Sequence, residues 1–225
     1  MSGIKGHIGL LMGSSTAPPV SLAVASYAKS NSSTPQSSQV MTTPTGLSAG
    51  DLIIAFLGYN GNDTAVPPAG FTLVATGYDS TSNFRSAVFQ KVATGSEGST
   101  LTFTSPGPNK WNGVVFRIVG SDTAVAAESA YTSMTSSSPQ TPPSLTPSWG
   151  ATASLWLSLA MGYFNNTMTG FAFTDDQDQT LTSIGEPNMF MSTEVINTGT
   201  VMPGNLTWSG GGVYGNLFTV GVKPL

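Results

Sequence analysis

The sequence contains no cysteine and a single histidine, and it is poor in charge. Of 225 residues, 7 are Lys or Arg and 11 are Asp or Glu, a charged fraction of 8%, where a soluble domain usually has about a quarter. Without thiols there is no disulfide framework, no cysteine nucleophile and no thiolate metal site. The lone His7 cannot furnish a site that needs two imidazoles. A net charge of −4 leaves no basic surface for a phosphate backbone, so nucleic acid is not an expected partner. Long hydrophobic runs are also missing. The longest, Leu155 to Phe164, is about half of the ~20 residues that span a bilayer, so a membrane is not expected either. The opening stretch has only Lys5 as a basic head, its apolar part is broken by glycine, and no convincing cleavage site follows, so a secretory leader is not expected.

What is present is a hydrophobic fraction of 39%, enough for a core at this length, together with 26 Gly and 15 Pro. Ser, Thr, Asn and Gln take over solvation from ions. Such a surface suits a protein packed in an assembly, where buried charges cost desolvation. Helical periodicity is almost absent. Short apolar runs alternate with Gly/Pro/Asn/Ser clusters, the pattern of a sandwich or barrel. Leu52 to Leu57 is apolar on both faces and reads as a central strand. Strands are also expected at Phe71 to Thr76, Phe84 to Val92 and Val114 to Val119. Leu101 and Phe103 alternate with Thr102 and Thr104, which predicts one buried and one wet face. Leu155, Leu157, Leu159 and Met161 recur at period two, so a strand is expected there and not a helix.

The second half repeats the first. Gly70-Phe71 matches Gly170-Phe171, Leu52 matches Leu155, Leu101-Thr102-Phe103 matches Leu206-Thr207-Trp208, and Val115-Phe116 matches Leu217-Phe218, in unchanged order. One such half buries only a single sheet face. The expected fold is therefore an all-β, two-layer antiparallel β-sandwich, jelly-roll-like, built from two internally repeated halves at about 45–122 and 145–224. Two independent domains are the alternative. Residues 1–20, Gly-rich and ending in Ala17-Pro18-Pro19, read as an extended arm outside the sandwich domain of residues 21–225. Residues 30–46 read as a loop or linker, and Thr132 to Pro147 as the connection between halves.

Residues able to carry chemistry are sparse. Asp175, Asp176 and Asp178 could give calcium three carboxylates, although the run lacks the glycine and distal glutamate of an EF-hand loop. The plainer reading is a solvated turn between Phe173 and Leu181. Glu186 and Glu194 are the candidates for a glycosidase-type pair, whose spacing sequence cannot give. Trp111, Trp149 and Tyr214 lie by turns, where aromatic rings can stack on glycans, whereas Trp156 and Trp208 lie within strands and are expected in the core. Gly210-Gly211-Gly212 reads as a hairpin turn and lacks the lysine of a phosphate loop. No cofactor is expected.

Several segments together resemble a β-sandwich of tailed-phage virion structural proteins. Thr43 to Phe56 is similar to its opening, P-x-G-x-x-x-G-D-L-L-V-A-F, and Pro67 to Val74 to its P-P-A-G-W-T-L turn, with Phe71 in place of Trp. Phe89 to Ala93 resembles its Y-x-K-V-A strand, Arg117 to Asp122 its Y-R-G-V-D strand end, and Pro143 to Pro147 its P-S-V-T-P lead into the second half. The resemblance covers roughly residues 40–225 and departs most in the second half, which has no clear copy of the Pro-Pro-Ala-Gly turn. It implies a non-enzymatic virion protein, assembled in the host cytoplasm, with capsid or tail proteins as partners and many symmetric copies. A capsid decoration (cement) subunit is the leading expectation. Its arm would supply the contact through Ile4, Lys5, His7, Ile8, Leu10, Leu11 and Met12, gaining order on binding. A minor-tail or fibre-associated module that binds surface glycans is the alternative.

Overall fold

The computed structural model describes residues 20–134, 138–164, 167–180, 187–208 and 213–225. The first half forms one antiparallel sheet from β1 (Ala23–Thr42), β2 (Leu52–Asn60), β3 (Thr72–Asp79), β4 (Phe84–Val92) and β5 (Thr100–Val119), in the order β1-β5-β2-β4-β3. The second half contributes β6 (Glu128–Ser133), β7 (Thr152–Tyr163), β9 (Asp175–Thr180), β10 (Asn188–Thr198) and β12 (Tyr214–Val222), in the order β6-β12-β7-β10-β9. The short β8 (Met168–Gly170) and β11 (Thr207–Trp208) pair with each other. No helix occurs among the described residues.

The two sheets share one strand order once β1 is matched to β6, β5 to β12, β2 to β7, β4 to β10 and β3 to β9. The register repeats as well. Phe56 pairs with Val114 and Val88, and Leu159 pairs with Phe218 and Met191, a displacement of 103 or 104 residues in each strand. The inward residues of both sheets make one core. Ile54, Phe56, Val114 and Phe116 from the first meet Leu157, Leu159, Phe218 and Val220 from the second. Neither half buries this face alone, which is why the halves form a single sandwich. Near the ends of β2 and β7, Gly58 and its counterpart Met161 meet: a Cβ on Gly58 would lie 2.0 Å from the Met161 sulfur. Two asparagines follow the same symmetry. Asn112 donates to the Pro187 carbonyl (3.0 Å), and its counterpart Asn216 donates to the Phe84 carbonyl (3.5 Å), each reaching the opposite sheet.

Three readings need correction. Residues 30–46 are not a linker, because β1 runs through Thr42. It pairs with β5 from Ala23↔Val119 to Thr42↔Thr100, a ribbon interrupted by register shifts between Ser32 and Ser38. There the ribbon turns back over the outer face of its own sheet, so that Met41, Leu101 and Phe103 pack on Ile53, Ala55 and Phe89. An edge strand covered on one side only needs no apolar alternation, and its Ser/Thr composition conceals it. Second, each repeat starts one strand before 45 and 145, at β1 and β6, and β6 occupies the beginning of the expected connection. Third, each sheet comes from one contiguous half, whereas a jelly roll passes the chain repeatedly between sheets. Residues 1–19 of the arm and the Gly210-Gly211-Gly212 turn lie outside the described residues.

Candidate functional site

The acidic run is a strand and not a solvated turn. Asp175, Asp176 and Asp178 sit on β9, the edge of the second sheet, opposite the edge strand β1 of the first. Asp178 accepts the Tyr27 hydroxyl (2.8 Å) and the Lys29 ammonium (3.0 Å), which ties the two sheets together. Burial alone would raise the Asp178 carboxyl, but donation from Lys29 and Tyr27 outweighs it and holds the group below the usual carboxylate range. Burial and the facing carboxylate push the Tyr27 phenol up to about 12. Asp176 accepts the Thr193 hydroxyl (2.7 Å) and takes a left-handed backbone (φ 43°), which Asp tolerates. No group of three His, Cys, Asp or Glu able to hold a metal ion occurs among the described residues. Of the three carboxylates that could have served calcium, those of Asp176 and Asp178 are turned to neighbours of this chain.

The aromatic candidates do not form one platform. Trp111 is 1% exposed. Its ring lies 4.5 Å from that of Tyr59, and its N–H donates to the Gln36 carbonyl (2.9 Å) at the ribbon's bend. It belongs to the core and does not present a stacking face to solvent, which corrects its reading as a glycan-binding residue. Trp149 is half-buried and donates to Ser154 at the start of β7, whereas Tyr214, 37% exposed, pairs with Tyr163 at the far end of that strand. Those two rings stand at opposite ends of the sandwich. Trp156 and Trp208 are buried as expected. Glu194 sits on β10 opposite Trp156, and Glu186 lies outside the described residues, so no carboxylate pair can be drawn.

A different feature emerges at the end where β2 and β7 begin, called here the proximal end. The described chain starts there at Val20 and finishes there at Leu225. Both residues line a cleft of about 400 Å³ together with Gly50, Arg117, Val119 and Ser121. Val20 is 61% and Leu225 88% exposed. The counterparts Val92 and Val195, which pair with Leu52 and Leu155, stand exposed at the same end. Three ion pairs near this end close within the chain. Arg117 Nε bonds Asp51 (2.7 Å), Lys223 bonds Asp122 (2.8 Å), and Lys91 lies 3.2 Å from Glu97. Asp51 also caps its turn by accepting the Ser48 N–H (2.8 Å). Glu97 gathers the Thr94 N–H (2.6 Å), the Thr94 hydroxyl (2.8 Å) and the Gly95 N–H (3.0 Å). Burial works against the Glu97 carboxylate, yet these donors bring its pKa down to about 2. Glu128 accepts the Ser148 N–H (3.0 Å) and hydroxyl. The proximal end therefore presents apolar and hydroxyl groups beside three ion pairs closed within the chain, with Glu128 held by Ser148. Sequence gave no sign of it, because the pairs join residues 66 and 101 positions apart.

The Ile4, Lys5, His7, Ile8, Leu10, Leu11 and Met12 side chains expected to bind a partner lie outside the described residues; the chain that carries them enters the fold at Val20, beside this cleft. No model of a known protein family matches the chain, and neither a curated protein nor a solved structure does.

Proposed function

We propose that the chain is a non-enzymatic structural subunit of a bacteriophage virion, a capsid decoration protein that docks through its proximal end and the N-terminal residues leading into it. The observation that carries this reading is the internal pairing of charge at that end. Arg117–Asp51, Lys223–Asp122 and Lys91–Glu97 close on one another and Glu128 is held by Ser148, beside exposed valine and leucine side chains. A surface of this kind can be buried against another protein without stranding an ion, which is the dominant cost of burying charged surface. The resemblance of Thr43 to Phe56 and Pro67 to Val74 to phage virion proteins supports the same reading. Those residues build scaffold here: Asp51 holds Arg117, and Gly70 (φ +86°) turns the chain so that Phe71 meets Phe103.

In this reading the partners are the major capsid protein and other copies of the chain, and no catalytic step is involved. The arm supplies apolar anchors, Ile4, Ile8, Leu10, Leu11 and Met12, on a backbone loosened by glycine. Deleting residues 2–17 tests the proposal. The truncated chain should fold as the full chain does and yet be lost from purified particles. Undiminished incorporation would overturn docking through the arm, and turnover of a substrate in a broad hydrolase screen would overturn the non-enzymatic part.

A further inference from the structure

A sandwich of two five-stranded sheets has four edges, and an edge strand offers unpaired N–H and C=O groups to any other strand unless something blocks it. The pseudo-twofold relation makes these edges comparable in pairs. β1 and β6 are counterparts, and so are β9 and β3. The β1 edge is covered by its own chain. Ser26 donates to the Thr45 carbonyl, the Thr42 N–H donates to Ser30, and Lys29 adds a charge. The β9 edge carries Asp175, Asp176 and Asp178. The β3 edge is broken by a register shift between Leu73 and Ala75, and Gly77 lies beneath the Tyr131 ring. These are the usual devices against strand addition: charge, bulge and cover.

Among the described residues, β6 shows neither a bulge nor a covering segment, and its one charge is at its first residue. Its sequence, Glu128-Ser-Ala-Tyr-Thr-Ser133, is uncharged after the first residue, and Glu128 is already held by Ser148. Tyr131 is 51% exposed, and Thr132 and Ser133 are exposed as well. The hydrogen-bond alternation shows which backbone groups β12 leaves unbonded. Met134 N–H bonds the Gly215 carbonyl, and the same register runs on through Ser133↔Asn216 and Tyr131↔Phe218. In an antiparallel ladder, bonded and non-bonded pairs alternate. Residues 130, 132 and 134 therefore bond β12, while Ser129, Tyr131 and Ser133 direct their N–H and C=O outward.

We infer that β6 is a strand-addition site whose occupant is β6 of a second copy of this chain, joined antiparallel so that two second-half sheets become one. The sequence is self-complementary in that arrangement. Centring the pair on Tyr131 sets Ser129 opposite Ser133 and Glu128 opposite Met134, so no like charges meet. The same operation on β9 would bring carboxylates together and is disfavoured. A single six-residue pair buries less than a standard interface, so the pairing is weak in dilute solution and gains strength where many copies are held together. The inference does not rest on the virion reading, since it concerns the purified chain alone.

Light scattering over a concentration series, up to several hundred micromolar, tests it. The full chain should rise from 23.1 kDa towards twice that mass. Ser133→Pro removes one outward N–H and no bond to β12, so it should stay monomeric with an unchanged thermal midpoint. Thr132→Lys, a charge on the exposed edge, should do the same and serves if the proline variant fails to fold. A wild-type chain that stays monomeric throughout, or folded variants that self-associate as the wild type does, would overturn the inference.

Discussion

Glu97 shows at the scale of one residue how this chain spends its few charges. Its carboxylate takes the Thr94 N–H and hydroxyl, the Gly95 N–H and the Lys91 ammonium, closing the loop between β4 and β5. Its folded pKa, about 2, lies below the ordinary 4.5. Such a group stabilises the fold above its unfolded pKa, and the contribution is lost as pH falls through the folded value. The thermal midpoint of the wild type should therefore drop more steeply than that of Glu97→Gln between pH 4.5 and 2. Parallel profiles from differential scanning fluorimetry would refute this. Asp178, also held below its usual range, predicts the same sign for Asp178→Asn. Trp111 gives a second test. Buried against Tyr59 and bonded to Gln36, it should cost about 3–5 kcal/mol on replacement by Ala, as large aromatic truncations in cores do. A loss below about 1 kcal/mol in urea titration would mean that the ring is dispensable to the ribbon's bend. Sequence reading set Trp111 by a turn, whereas it lies inside β5, opposite Ser32 where the ribbon's register begins to shift. Turn composition, however, cannot say that the chain folds back to bury that bend.

At the scale of the element, the strands most legible in sequence are those whose two faces differ or are both apolar. Leu52 to Leu57 reads as central and is central, and Leu101 and Phe103 are buried while Thr102 and Thr104 are exposed. Leu155 to Met161 alternates as expected, with its odd-numbered members in the shared core. β1 was not legible, because an edge strand of Ser, Thr, Gln and Ala carries no strong periodic signal. β9 was not legible either, since three aspartates in a row of six argue against a strand until their partners Tyr27, Lys29 and Thr193 are seen. Strand packing provides the test at this scale. Gly58 leaves room for Met161, so Gly58→Ala should destabilise by about 1–3 kcal/mol through overpacking. In a Met161→Ala background the same substitution should cost less, by about 1 kcal/mol or more. Additive effects in a double-mutant cycle would show that the two sheets do not meet at this pair.

At the scale of the molecule, pseudo-twofold symmetry and scarcity of charge act together. Doubling one five-stranded unit buries the apolar face that a single unit leaves open. Asn112 and Asn216 then lock the halves by equivalent bonds to opposite sheets. The ions that remain are largely directed inward, to each other or to loop donors, which leaves hydroxyl and apolar groups for contact with other chains. The two-layer fold was legible because the repeat of apolar runs fixes how many faces need covering. The proximal cleft was not, because Val20, Arg117 and Leu225 are brought together only by the complete fold.

The proposed role, a surface that serves a virion in many copies, is tested most directly by copy number. If the chain is a decoration subunit, quantitative gel analysis of purified particles made in cells that express it should find hundreds of copies per particle, released intact and without covalent change. A few to tens would move the chain from capsid surface to tail, contradicting the decoration role. Its absence from particles made in cells that express it would contradict the structural role altogether.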